Sequence, residues 1–273
     1  MAIRAIIFDL DDTLVVDEAA AQNALRATCV TATQWYGIDP DSLYSAVRAR
    51  ARALWRSSPL VADSPVIAMS SWEALRSDFP GDDALMTGLR EWAPTYRFES
   101  WISALADHGL FDPALAQELA CQYPREREAR DEAFPDALPA VTELCRDFKL
   151  AVITNGPSDI QRGKLFAAGL EDFFPVIIVS AEVGAWKPDP RIFALALDRL
   201  GVAPREAVMV GDMVARDVGA AQAAGLWGVW LDRPGPPGMA AAARAADAAD
   251  YVRPDATIAT LADLRTAIAN LPA

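Results

Sequence analysis

The chain has 273 residues, 52% of them hydrophobic and 23% charged, a composition that fits a globular protein with a sizeable core and excludes a disordered one. A formal net charge of −13 and a pI near 4.5 exclude binding of nucleic acid or an anionic membrane through a general basic field. An anionic substrate is then compatible only with a site that brings its own cation.

Residues 3–8 predict the first strand. Its apolar run Ile6-Ile7-Phe8 stops at three carboxylates, Asp9, Asp11 and Asp12, followed by Thr13. A short β-branched and aromatic run reads as a buried strand. Carboxylates at its carboxyl end lie where an open α/β sheet binds ligands. Clustered carboxylates repel one another unless a hard cation joins them, and an all-oxygen site suits Mg²⁺. Taken alone, an acidic turn can equally cap the next helix.

From residue 17 to about 129 the pattern is helical, with no convincing strand. Segments run over 18–36, 41–56, 65–79, 82–92, 98–106 and 113–123, each broken by Gly or Pro. Trp35, Trp55, Trp72, Trp92 and Trp101 lie here and are expected mostly to pack between helices. Arg48, Arg50, Arg52 and Arg56 read mostly as a solvated face; two of them pointing inward would instead suit a carboxylate- or diphosphate-bearing substrate.

Beyond about residue 130 strands and helices alternate. Strands are predicted at 150–153, 176–179, 207–210 and 226–231. Helices are predicted at 158–168, 190–200 and 214–224, the second with Asp189 as N-cap and Pro190 at its first position. Such alternation implies right-handed crossovers and a doubly wound parallel sheet, a Rossmann-like α/β core with helices on both faces. Residues 233–238 read as a rigid loop, 239–250 as helix-compatible, 251–252 as a short edge strand and 258–271 as a closing helix. The expected organisation is a core of 1–16 and 130–273 with an α-helical insert of 17–129.

Cys29, Cys121 and Cys145 are far apart and form no Cys-x-x-Cys pair, so reduced thiols in a cytoplasmic protein are expected. No apolar stretch reaches the length of a membrane span, and the opening run reads as the first strand, so no secretory signal is expected. His108, the only histidine, reads as part of a helix end before Gly109; its solitude excludes a histidine-rich zinc site.

Each later core strand also ends in polar residues. These are Thr154-Asn155-Gly156, then Ser180 with Lys187-Pro188 beyond it, then Gly211-Asp212 with Asp217. In a parallel sheet these ends share one edge, so Asp9, Asp11, Thr154, Lys187, Asp212 and Asp217 should converge. Lys187 stands out because the chain has three lysines against twenty-two arginines. A compact ammonium among carboxylates is a role that arginine fills poorly.

Phe8-Asp9-Leu10-Asp11-Asp12-Thr13, Thr154-Asn155-Gly156, Lys187-Pro188 and Gly211-Asp212 with Asp217 resemble, in order and spacing, the four motifs of the haloacid dehalogenase-like hydrolase superfamily. The helical insert resembles that superfamily's C1-type cap. The resemblance implies Asp9 as the nucleophile that forms a phosphoaspartyl enzyme. It implies Asp11 as the acid for the leaving oxygen, then the base for water, with its backbone carbonyl on Mg²⁺. Thr154 and the amides of Asn155 and Gly156 would hold phosphoryl oxygens. Lys187 would orient Asp9; Asp212 would bind Mg²⁺; Asp217 would bind it through water or position Lys187. The metal set is therefore Asp9, Asp11, Asp212 and Asp217.

The expected activity is Mg²⁺-dependent hydrolysis of a small-molecule phosphate monoester. Four carboxylates and Lys187 sum to −3; Mg²⁺ brings this to −1 and a protonated Asp11 to zero, so the metal is required. A dehalogenase would be expected to lack the carboxylate at position 11. A phosphonatase needs a Schiff-base lysine from the insert, and 17–129 has none. A β-phosphoglucomutase-like phosphotransferase shares all four motifs, and a non-catalytic binding protein is a further alternative, though such proteins usually lose a charged member of the site. The insert is expected to close over the site, hinging near 15–17 and 129–134.

Overall fold

The computed structural model describes residues 2–64, 66, 69–234 and 252–272. Among these, six strands form one parallel sheet in the order β3-β2-β1-β4-β5-β6. They are β1 (Ala5–Phe8), β2 (Lys149–Thr154), β3 (Val176–Val179), β4 (Ala207–Gly211), β5 (Trp227–Leu231) and β6 (Ala256–Ile258). The chain adds β2 and β3 on one side of β1, then returns to add β4, β5 and β6 on the other. This reversal is the switch point of a doubly wound sheet, and it falls between β1 and β4.

Side chains alternate across the sheet with a period of two. Ile6, Phe8, Val152, Val208, Val210 and Val229 point into one core layer, together with Val141 and Leu144 of α7 (Ala137–Leu144) and Leu165 of α8 (Ser158–Ala167). Ala5, Ile7, Ala151, Ile153, Ile178 and Met209 point into the other, against Ile192, Phe193 and Leu197 of the helix Pro190–Leu200. The central strands are buried on both faces, so their residues read as continuous apolar runs.

The chain divides into two compact units. One is Met1–Val16, Glu132–Asn155 and Gln161–Ala273, and carries the sheet; the other is Asp17–Asp131 with Gly156–Ile160. The second unit is helical. Its long helices are α1 (Glu18–Tyr36), α2 (Pro40–Ser57), α5 (Ala84–Ala106) and α6 (Pro113–Glu128), with short α3 (Pro59–Ala62) and α4 (Ser71–Ala74) between them. Within this unit α1 packs on α2 and α6, and α5 on the same two helices. Trp55 stacks on Phe79 and Trp92 at ring separations of 6.1 and 6.0 Å, and Tyr96 leans on both tryptophans. The guanidinium of Arg127, whose side chain is 1% exposed, reaches Asp17 at 2.6 Å and Asp131 at 2.5 Å; Arg76 also holds Asp131, at 2.8 Å. Asp17 and Asp131 are the first and last residues of the insertion, so this buried cluster ties its two ends together.

Several expectations are corrected. The helices expected at 82–92 and 98–106 are one helix, α5, which runs through Pro94. Proline removes one ladder bond, but the buried face of Met86, Leu89, Ala93, Tyr96, Trp101 and Ala104 outweighs that loss. For the same reason α6 passes Pro124 and ends at Glu128. Of the helix expected at 65–79 only Ser71–Ala74 is helical, with residues 65, 67 and 68 outside the described set. The segment 214–224 opens as a π-helical turn, Val214–Gly219, before a short α-helix, Ala220–Ala223. The closing helix is only Leu264–Ala269 and the edge strand is Ala256–Ile258; of the strand expected at 251–252, residue 251 lies outside the described set and 252 is in no strand. Residues 235–251 lie outside the described set, so the readings of 239–250 and most of the 233–238 loop are not described. Trp35 is 62% exposed and packs in no core. Arg50 pairs with Asp107, as a solvated face would, but Arg48 is half-buried against the rings of Tyr44 and Trp72.

Removing one member of a buried ion cluster leaves the others uncompensated. Arg127→Met is therefore expected to destabilise the helical unit by about 3–5 kcal/mol, read as an earlier urea midpoint for its tryptophan fluorescence.

Candidate active site

The carboxyl ends of β1 and β4 are neighbours, and the backbone itself fixes their registration: the amide of Asp9 donates to the carbonyl of Val210 at 2.9 Å. Directly after β1 the chain curls. The amides of Leu14 and Val15 return to the carbonyl of Leu10, and Asp12 takes a left-handed φ of 54°. This curl brings the Thr13 hydroxyl back to donate to Asp9 Oδ2 at 3.1 Å.

On the other oxygen of Asp9, Lys187 Nζ donates to Oδ1 at 2.5 Å, and the same ammonium donates to Asp217 Oδ1 at 2.7 Å. All three side chains are buried. Asp217 is itself held, because its Oδ2 accepts the amide of Met213 at 3.1 Å. Glycine at 211 is a packing requirement here: a Cβ at that position would overlap the Asp217 carboxylate. The backbone of Lys187 is clamped by the side chain of Asn155, which accepts from Lys187 N at 2.8 Å and donates to its carbonyl at 2.9 Å. Asp212 is buried next to this group, its carbonyl accepting the indole N–H of Trp230 at 2.9 Å.

Asp9, Asp212 and Asp217 each present a carboxylate oxygen, and these oxygens lie within 4.8 Å of one another. Burial raises the proton affinity of Asp9, and Asp217 adds to it, against the opposing pull of Lys187. Asp212 is pushed well above the usual carboxylate range, first by burial and then by the charges of Asp9, Asp217 and Asp12. Burial alone would lower the pKa of Lys187, but Asp217 and Asp9 together carry it above its ordinary value, so the ammonium stays charged. A donor set of three buried carboxylates, with no nitrogen or sulfur ligand and a surplus of negative charge, fits a hard divalent cation such as Mg²⁺.

Asp11 is placed differently. Its side-chain carboxylate forms an ion pair with Lys164 at 2.6 Å and accepts from Gln161 Nε2 at 3.1 Å. It is not in the three-carboxylate cluster of Asp9, Asp212 and Asp217. Thr154 is buried at the end of β2, and its hydroxyl donates to Gln161 Oε1 at 2.8 Å. Gly156 follows with a φ of 151°, in the segment grouped with the helical unit.

Three side-chain roles escaped the sequence analysis. The clamp by Asn155 could not be read, because only its amide drew attention. Gln161 carried no signal. Lys164 carried a partial signal, as another of three lysines in an arginine-rich chain three residues from Gln161 on the same helical face, but nothing in the sequence pairs it with Asp11. Its inclusion also changes the charge of the site, since four aspartates with two ammonium groups sum to −2; one divalent cation would bring this to zero and a proton on Asp11 to +1.

Known proteins are similar to this chain in sequence and in fold. Residues 3–225 match the family model described as haloacid dehalogenase-like hydrolase. A phosphoserine phosphatase of Thermus thermophilus is 40% identical over 233 residues, covering 84% of this chain and 89% of that protein. Among solved structures, a 2-haloacid dehalogenase of Pseudomonas syringae is similar at a TM-score of 0.59 and 27% identity, over 99% of this chain and 100% of that one. The magnesium-bound hydrolase YfnB of Bacillus subtilis shares the fold at a TM-score of 0.64 and 21% identity, over 98% and 99% of the two chains. The chain belongs to the haloacid dehalogenase-like hydrolase family.

Proposed function

We propose that this protein is a phosphoric monoester hydrolase that acts on a small phosphorylated molecule through a phosphoaspartyl intermediate on Asp9. The observation that carries this reading is the single ammonium of Lys187 held between Asp9 and Asp217, which leaves Asp9 anchored on both oxygens at the switch point of the sheet. Phosphoryl transfer depends mainly on positioning and charge stabilisation, and this arrangement supplies both.

In the first step an oxygen of Asp9 attacks phosphorus as the ester P–O bond breaks, and the departing oxygen takes a proton from Asp11. In the second, water attacks the phosphoaspartyl group while Asp11 takes the water's proton; inorganic phosphate leaves and Asp9 is regenerated. Lys187 orients Asp9 and offsets charge as it builds. Thr154 and the amide of Asn155 hold phosphoryl oxygens, for which the Thr154 hydroxyl must turn its proton from Gln161 to the substrate. Asp9, Asp212 and Asp217, with the backbone carbonyl of Asp11, are the residues that would hold Mg²⁺. When bound, the ion supplies Lewis-acid stabilisation of the phosphoryl oxygens and cancels the residual charge of the site.

A solved dehalogenase shares the fold, so the fold does not choose between the two chemistries. The carboxylate at position 11 does: a departing halide needs no proton, whereas an alkoxide does. The phosphatase relative places O-phosphoserine first among substrates to test. The helical segment Asp17–Asp131 is proposed as the cap. Cys29, Cys121 and Cys145 are free thiols, which fits a reducing, cytoplasmic setting.

Phosphate release from O-phosphoserine, sugar phosphates, nucleoside monophosphates and p-nitrophenyl phosphate is expected with Mg²⁺, lost with a chelator, and reduced at least ~1000-fold by Asp9→Asn. Release that survives chelation or the Asp9 change would overturn the mechanism. Gly211→Ala is expected to lower kcat by roughly 100-fold by displacing Asp217 and hence Lys187; an unchanged kcat would show that the glycine does not set that geometry.

A further inference from the structure

The segment after β2 places two side chains against Asp11 that no step above uses. Lys164 and Gln161 lie on α8, three residues apart, and both are essentially inaccessible: Gln161 is 0% and Lys164 1% exposed. Burying an ammonium is costly unless an anion repays it, and the anion here is Asp11, 2.6 Å away. The two donors take different oxygens of the same carboxylate, Lys164 on Oδ1 and Gln161 on Oδ2. Two donors on two oxygens fix both torsions of a short side chain, which one contact would not do. Gln161 spends its own oxygen on the Thr154 hydroxyl, so Thr154, Gln161, Asp11 and Lys164 form one continuous chain of polar contacts, buried except at Asp11, which is half-buried.

We propose that Lys164 and Gln161 are the positioning residues of the acid–base catalyst. They hold the Asp11 carboxyl group at the angle from which it meets the leaving oxygen, and Gln161 links that angle to the occupancy of the phosphate-binding Thr154. Neither residue transfers a proton: the Asp11 carboxylate seen in this pairing takes a proton from water in the second step, and that proton passes to the next leaving oxygen as its ester P–O bond breaks and the bond from Asp9 to phosphorus forms. This inference rests on the role of Asp11 proposed above.

The test uses the leaving group. An alkyl phosphate such as O-phosphoserine expels a strongly basic alkoxide and needs the acid; p-nitrophenyl phosphate expels a weakly basic phenolate and needs it far less. On kcat/KM, which reports the first chemical step, Lys164→Met is expected to lose roughly 100-fold on the alkyl ester and less than about 10-fold on the aryl ester. In an Asp11→Asn background the same change is expected to add little, because it acts through Asp11. Gln161→Met should show the same asymmetry, and serves if Lys164→Met fails to fold. Equal losses on both esters, or full additivity with Asp11→Asn, would overturn the inference while leaving the hydrolase reading intact. A wild-type protein that turns over none of the phosphate esters in the panel above would instead sink the reading itself.

Discussion

One ammonium holds the site together. Asp9, Asp212 and Asp217 are three carboxylates buried at the end of one sheet, and without a cation between them they would repel one another or take up protons. Lys187 Nζ touches two of the three. Much of the surrounding structure serves to put that nitrogen in place. Asn155 grips the lysine backbone, Gly211 leaves room for Asp217, and the Met213 amide keeps the Asp217 carboxylate turned toward the lysine. Lysine suits this position better than arginine because a compact point charge fits between two carboxylates, whereas a planar fork would spread them.

The sheet explains why these groups meet at all. A parallel strand delivers the residue after its last pair to one edge, and the reversal between β1 and β4 opens that edge at the point where Asp9 and Asp212 emerge. The central strands, buried on both faces, give this edge a rigid base, so distances near 2.5–2.7 Å at the site rest on the packing of Ile7, Phe8, Met209 and Val210 beneath it. The helical unit has an independent core, built on the Trp55 aromatic stack, and closes its own ends through Arg127.

Charge reconciles an acidic protein with an anionic substrate. The overall −13 would repel a phosphate ester at long range, but exposed charges are screened within about 10 Å in salt, while buried ones are not. What the substrate meets is the local sum. Two buried lysines bring four aspartates from −4 to −2, and a divalent cation held by the carboxylate cluster would bring them to zero.

The α/β architecture and most of the site were legible before any coordinates, because both follow from local signals. Short continuous apolar runs that end in Asp9, Thr154 and Gly211-Asp212 specify buried strands and what stands at their tips, and a parallel sheet then forces those tips together. The same reading failed where tertiary packing overrides local preference. Pro94 and Pro124 look like helix ends in the sequence but sit inside helices, since a buried apolar face outweighs one missing hydrogen bond. The partner of Asp11 was also hidden: 153 residues separate it from Lys164, and no spacing rule connects a carboxylate after β1 to a helix after β2. Local sequence determined which chemical groups stand at the sheet edge; only the fold decided which of them touch, because contacts between distant segments are set by packing geometry rather than by order along the chain.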